Sequence, residues 1–202
     1  MNTTLSIIYF SAGGTADLLA QSVAAGARSV PDTTIALHRI DGTQIKEGRW
    51  EDPGVLEALT QSDSIVFGAP TYMGGPAAQF KAFADATAYL WRSRAWRGKL
   101  AGGFTISGNP SGDKLLTLMY LSVFASQHGM TWMNWDELPR QPDGTNHLGS
   151  SLGLMAQNPV PPGAPPALSD ADDLSAKKYG IHMALTARRL LGRAVPATVA
   201  SV

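Results

Sequence analysis

Short apolar runs that stop abruptly at loops rich in glycine and hydroxyl residues, each followed by a stretch of helical periodicity, recur along this chain. Leu5-Ser-Ile-Ile-Tyr-Phe10 runs into Ser11-Ala-Gly-Gly-Thr15, Ser64-Ile-Val-Phe67 into Gly68-Ala-Pro-Thr-Tyr-Met-Gly-Gly75, and Leu100-Ala-Gly-Gly-Phe-Thr-Ile106 into Ser107-Gly-Asn-Pro-Ser-Gly112. Strands without charged residues must be covered on both faces, and parallel strands need helical crossovers, so the alternation specifies an α/β, doubly wound parallel sheet. In an open sheet of this kind ligands bind outside the carboxyl ends of the strands, which brings the three loops together although they are far apart in sequence.

The remaining elements fill in the pattern. Thr15 to Ala27 places Ala16, Leu19, Ala20, Val23 and Ala24 on one helical face. Thr33 to Ile40 alternates as a second strand, Val55 to Leu59 reads as a short helix, and Pro76 to Leu90 as a longer one opened by proline in its first turn. Lys114 to Gln127 is a strongly apolar helix and Met130 to Trp135 the last strand. From Asp136 to Leu168 the periodicity fails, with prolines such as Pro139, Pro142, Pro161, Pro162 and Pro166 marking a long loop of the kind that is usually functional or flexible. Ser169-Asp-Ala-Asp172 resembles a capping box that starts a final helix running to about Arg193. Residues 1–202 are expected to form one domain.

Composition narrows the function. The 202 residues carry 16 Lys and Arg against 16 Asp and Glu, with the isoelectric point near 6.9, which argues against a nucleic-acid or membrane surface. The one basic cluster, Arg92-Ser-Arg-Ala-Trp-Arg97, reads as a solvated helix end. The absence of cysteine removes disulfides, thiolate metal sites and thiol nucleophiles, and no segment has the length and apolarity of a signal peptide or membrane span. A cytoplasmic protein is expected. His38 and His182 have no carboxylate pattern around them that suggests a metal.

Each loop has a chemistry of its own. Ser11, Gly13, Gly14 and Thr15 end a strand and open a helix, where backbone N–H groups, two hydroxyls and the positive end of the dipole suit a phosphate; a simple capped turn is the alternative. The spacing matches neither the dinucleotide fingerprint nor a Walker A loop. Pro70, Thr71, Tyr72, Met73, Gly74 and Gly75 offer an apolar surface and a close-running backbone to a planar heteroaromatic ring, although Tyr72 alone reads equally as a half-buried loop aromatic. Ser107, Gly108, Asn109, Ser111 and Gly112 offer further polar groups on a loop stiffened by Pro110. His128, closing the apolar helix, is either a helix cap favoured as a cation by the dipole or a pocket residue, and Trp91 is either core or pocket.

These residues carry a resemblance. Tyr9-Phe-Ser11, Gly68-Ala-Pro-Thr71 with Gly74, Gln79-Phe-Lys-Ala-Phe-Ala-Asp85, Leu90-Trp91, Gly98-Lys-Leu100 and His128-Gly-Met130 are similar to the flavodoxin-like superfamily, and within it to the WrbA-type NAD(P)H:quinone oxidoreductases and the NADPH-dependent FMN reductases. The match spans residues 5 to 130, with echoes in Asp143-Gly-Thr145 and Tyr179. The resemblance implies five parallel strands in the order 2-1-3-4-5, an FMN cofactor seated in the three loops, NADH or NADPH as electron donor, a quinone or similar small acceptor, and a homo-dimer or homo-tetramer. It further implies that His128 faces the flavin pocket and that Trp91 lines it across a subunit boundary. A flavodoxin-like electron carrier docking to redox partners is the alternative, as is a reductase of loosely held flavin. The chain departs from the family at Tyr72-Met73, where an arginine-phenylalanine pair is usual, and at Asn146-His-Leu-Gly-Ser-Ser151, in place of a tyrosine-containing glycine loop.

Overall fold

The computed structural model describes residues 1–139, 141–161 and 163–196; Pro162, one of the prolines noted above, lies outside them. Nine strands and six helices alternate: β1 (Thr3–Tyr9), α1 (Thr15–Arg28), β2 (Thr33–Arg39), the short pair β3 (Ile45–Lys46) and β4 (Arg49–Trp50), α2 (Pro53–Gln61), β5 (Ser64–Tyr72), β6 (Gly75–Pro76), α3 (Ala78–Ala86), α4 (Ala88–Ser93), β7 (Leu100–Ser107), α5 (Lys114–Gln127), β8 (Thr131–Trp132), β9 (Leu154–Gln157) and α6 (Asp170–Leu190). The central parallel sheet runs β2-β1-β5-β7-β8, the flavodoxin-like order 2-1-3-4-5, with helices on both faces. Successive residues of each strand feed opposite sides. Ile7 and Val66 join Leu19, Val23, Tyr179 and Met183 beneath α1 and α6, whereas Ile8, Ile65 and Phe67 meet Phe80, Phe83, Trp96 and Phe124 on the other face.

Three elements differ from the sequence reading. Pro76 does not open a helix; it pairs with Thr71 in β6, and the helix begins at Ala78 and is broken at Thr87 into α3 and α4. The third long strand does not stop at Gly68 but continues to Tyr72 and turns back through a two-residue hairpin. Met73 (φ 49°) and Gly74 (φ 79°) both occupy the left-handed region, as a type I′ turn requires. The last strand is split: β8 pairs with Leu100 and Ala101, and β9, inside the stretch read as loop, takes over the same edge from Phe104 to Ser107.

The split leaves the Gly103 amide without a strand opposite it. Tyr179 of α6 fills the gap, its hydroxyl accepting from Gly103 N–H at 2.9 Å. Gly102 is what admits the phenol, since a Cβ there would come within 2.7 Å of the Tyr179 oxygen and 2.3 Å of Met183 Cε. An unpaired buried amide costs about 1–3 kcal/mol, so this contact stabilises the seam. Residues 133–139 and 141–153 pack back over α6: Asn146 accepts from Ser150 N–H and donates to the Glu137 and Ser150 carbonyls, while His147 meets Asp172 at 2.9 Å and Lys178 meets Asp143 at 2.6 Å.

Candidate flavin-binding site

The carboxyl ends of β1, β5 and β7 do converge. A cleft of about 190 Å³ is lined by Ser11, Ala12, Gly13, Thr15, Pro70, Thr71, Tyr72, Ser107 and Gly108, and closed by Asn158 from the end of β9. On its first wall, Ser11 Oγ accepts from the Gly14 and Asp17 amides at 3.1 and 3.2 Å, capping α1 from the strand side. Gly14 sits at φ 92°, the left-handed conformation that turns the chain from strand into helix. The N–H groups of Gly13, Thr15 and Ala16 have no protein partner among the described residues, and nothing crowds the space beside Gly13. Unpaired amides at a helix N-terminus are the donor set a phosphate needs, so the residues present fit an FMN phosphate.

The second wall carries Thr71. Its hydroxyl is held by Thr105 Oγ1 at 2.8 Å and Thr117 Oγ1 at 2.7 Å, a buried trio that ties β5 to β7 and α5. Tyr72 is half exposed at the cleft rim, while Met73, Gly74 and Gly75 form the hairpin tip outside the cleft walls, with Met73 fully solvent-exposed. This exposed apolar tip is a surface against which a planar ring can lie.

On the third wall, Ser107 donates to the Asn109 carbonyl at 3.0 Å and accepts from Lys114 Nζ at 2.9 Å, so its hydroxyl is also engaged. Asn109 and Ser111 are exposed on the loop crest, and Gly112 (φ 53°) folds back on Ser107, where a Cβ would lie 2.1 Å from the hydroxyl oxygen. Two residues escaped the sequence reading. Asn158 Oδ1 accepts from Thr15 Oγ1 at 3.3 Å and its backbone N–H donates to the Ser107 carbonyl at 2.9 Å, but it lies in a segment without periodicity. Lys114 braces the loop from beneath; the signal available for it was a lone cation in a helical first turn, where the dipole opposes it.

His128 and Trp91 are not in this cleft. The fourteen residues of α5 separate Lys114, beside the loops, from His128 by about 20 Å. His128 instead lines a second cavity of about 470 Å³ with Lys81, Asp85, Thr87, Trp91, Tyr120, Phe124 and Gln127. Its ring, 6% exposed, lies 4.5 Å from that of Trp96 and edge-on to Phe124. The cation favoured by the helix dipole is not what burial allows: desolvation pushes the imidazole down to about 4, so it is neutral at pH 7. Because the Thr87 hydroxyl donates to the Ala84 carbonyl, His128 Nε2 donates to Thr87 Oγ1 at 2.9 Å, and Nδ1 is left as a buried acceptor without a partner among the described residues. Trp91 is 54% exposed at the mouth, which removes the core alternative.

Comparison with known proteins shows the family. The family model described as NADPH-dependent FMN reductase matches residues 12–138. Flavodoxin FldP of Pseudomonas aeruginosa is 36% identical over 190 residues, 91% of this chain and 96% of its own. Quinone-oxidoreductase QR2 of Triphysaria versicolor is 33% identical over 142 residues, 66% of this chain and 69% of its own. Among solved structures, the flavodoxin, WrbA-like protein from Agrobacterium tumefaciens is 37% identical with a TM-score of 0.71, covering 93% of this chain and 99% of that one. With its sheet order, its loop chemistry and these relatives in agreement, the chain belongs to the NADPH-dependent FMN reductase family, a flavodoxin-like family of FMN-binding oxidoreductases.

Proposed function

We propose that the protein holds FMN at Ser11, Gly13, Gly14 and Thr15, with Tyr72 to Gly75 beside the ring and the Ser107–Gly112 loop over the remaining polar groups, and passes electrons from NADH or NADPH to a quinone or similar small acceptor in the cytoplasm. The unpaired amides at the start of α1, open to the cleft, carry the cofactor assignment. FMN held by these residues would supply two-electron hydride chemistry; the chain's own contribution is to orient it and leave one side accessible. Here Thr71 spends its hydroxyl on rigidity, and β6 holds the hairpin tip in place.

His128 reaches a flavin only in a second copy of the chain. The outer face of α5 suits that assembly: from Leu115 to Gln127 it bears no charged residue, and Leu115, Leu116, Met119 and Val123 are exposed along it, continuing to the hairpin tip at Gly74, beside Leu116. A homo-dimer or homo-tetramer built on this face would set the His128 and Trp91 cavity against a neighbouring flavin, the Nδ1 acceptor receiving the carboxamide N–H of a nicotinamide or the O–H that forms as a quinone is reduced. The electron-carrier reading is favoured by a single observation, that the similarity to FldP covers more of the chain than the similarity to QR2. The neutral charge balance opposes it, since docking carriers steer partners with strong charge.

Anaerobic mixing of the FMN-loaded protein with NADH or NADPH tests the proposal. Rapid bleaching followed by reoxidation with benzoquinone is the expected result, whereas bleaching only through a separate reductase would assign the carrier. His128→Ala should keep its FMN and lose about tenfold to a hundredfold in quinone kcat/KM, the cost of one positioned hydrogen bond in the transition state. Unchanged turnover would return His128 to a structural role.

A further inference from the structure

Lys114 is 1% exposed, and its three N–H donors are spent on one loop: Ser107 Oγ, the Asn109 carbonyl and the Pro110 carbonyl, each at 2.9 Å. All three acceptors are neutral. No carboxylate touches the ammonium among the described residues, and Asp172, the acid that acts on it through space, is already engaged by His147, Ser169 and the Gln157 amide. Burial disfavours the charged form and draws the lysine below its usual range. Its place in the first turn of α5 adds the unfavourable end of a helix dipole. A glutamine there would supply two of the three donors without either cost. The charge is therefore the feature that needs an explanation, and it lies one hydroxyl behind the cleft wall: Ser107, which Lys114 holds, faces the open amides of Gly13 and Thr15 across the same cleft.

We infer that Lys114 is the counter-charge for the phosphate of the cofactor, acting through Ser107 and the loop it holds, and that it sets the preference of this site for FMN over uncharged flavin. The inference rests on the FMN assignment above and adds a specificity determinant to it. The buried cation and the unpaired amides share one anion, the cation supplying charge and the amides geometry. Lys114 is a positioning residue: it touches the loop and not the ligand.

Titration of the apoprotein with FMN and with riboflavin, followed by quenching of flavin fluorescence, separates charge from loop order. For Lys114→Met the affinity for FMN should fall about tenfold or more while that for riboflavin stays within about threefold, so that the preference for FMN collapses. Lys99→Met, the same change at the other end of β7, where Nζ donates to the Ser62 carbonyl at 2.5 Å, should leave both affinities unchanged. Parallel weakening of both ligands by Lys114→Met would overturn the inference in favour of loop order alone, as would two unchanged affinities. If Lys114→Met does not fold by circular dichroism, Lys114→Gln, which keeps two N–H donors without the charge, provides the same comparison with the same two overturning results. A wild-type apoprotein that binds neither flavin would instead refute the FMN assignment, and this inference with it.

Discussion

Gly14→Val should abolish tight FMN binding while leaving the helices and sheet intact. Gly14 holds φ 92°, a region where a β-branched side chain is strongly disfavoured, and a Cβ there would stand 2.8 Å from Pro166 Cγ. The loop must re-form, and with it the aim of the Gly13 and Thr15 amides at the cleft. Loss of two or three aligned donors at a helix N-terminus corresponds to a fall in affinity of about a hundredfold or more. The folded apoprotein should persist, because the buried face of α1, including Leu19, Val23 and Ala24, lies beyond the turn. Circular dichroism together with FMN titration checks both halves, with Thr15→Val as a milder comparison that removes one hydroxyl. Normal FMN affinity in Gly14→Val would remove the first loop from the site.

Gly180→Val should be the most destabilising single change on the face opposite α5. α1 and α6 pack so closely that a Cβ at Gly180 would lie 2.0 Å from the Val23 carbonyl oxygen, and one at Gly26 would lie 1.9 Å from the Lys177 carbonyl oxygen. Two backbones in contact have no side chain that can yield, so the helices must separate. Moving α6 also draws the Tyr179 hydroxyl away from the Gly103 amide in β7. Overpacking of this kind, with an orphaned amide added, costs several kcal/mol, which lowers the melting temperature of a chain of this size by about 10 °C. Thermal melting followed by circular dichroism measures it, with Gly180→Ala expected to fall between wild type and Gly180→Val. A melting temperature within about 2 °C of wild type would mean that the helix contact contributes little.

The doubly wound parallel sheet was legible because its determinants are local, whereas the strand order 2-1-3-4-5 came from the resemblance to the flavodoxin-like superfamily. Uncharged runs such as Ser64–Phe67 and Leu100–Ile106 can be satisfied only under helices on both sides, and the intervening periodicities supply those helices. The hairpin at Met73–Gly74 was not legible, because Pro70 and Pro76 suggest loop and helix start when read alone; what selects the strand is pairing between Thr71 and Pro76. β9 was hidden for the same reason, in that Leu154–Gln157 becomes a strand by meeting Phe104–Ser107 and has too few residues to signal it alone.

The sequence by itself determined the alternation, the parallel sheet and the convergence of three loops at its carboxyl edge, since these follow from burial patterns and from the short reach of each connection. Only the tertiary structure decided which polar groups remain available. Ser107 read as a ligand-facing hydroxyl, yet it is engaged by Lys114, and the Thr71 hydroxyl in the ring loop is engaged by Thr105 and Thr117. His128 read as a helix cap or, through the family resemblance, as facing the flavin pocket; the length of α5 carries it away from this chain's own cleft, and burial against Trp96 and Phe124 holds it neutral. Hydrogen-bond partners and desolvation depend on residues tens of positions distant, and a linear chain does not display them until the strands are paired.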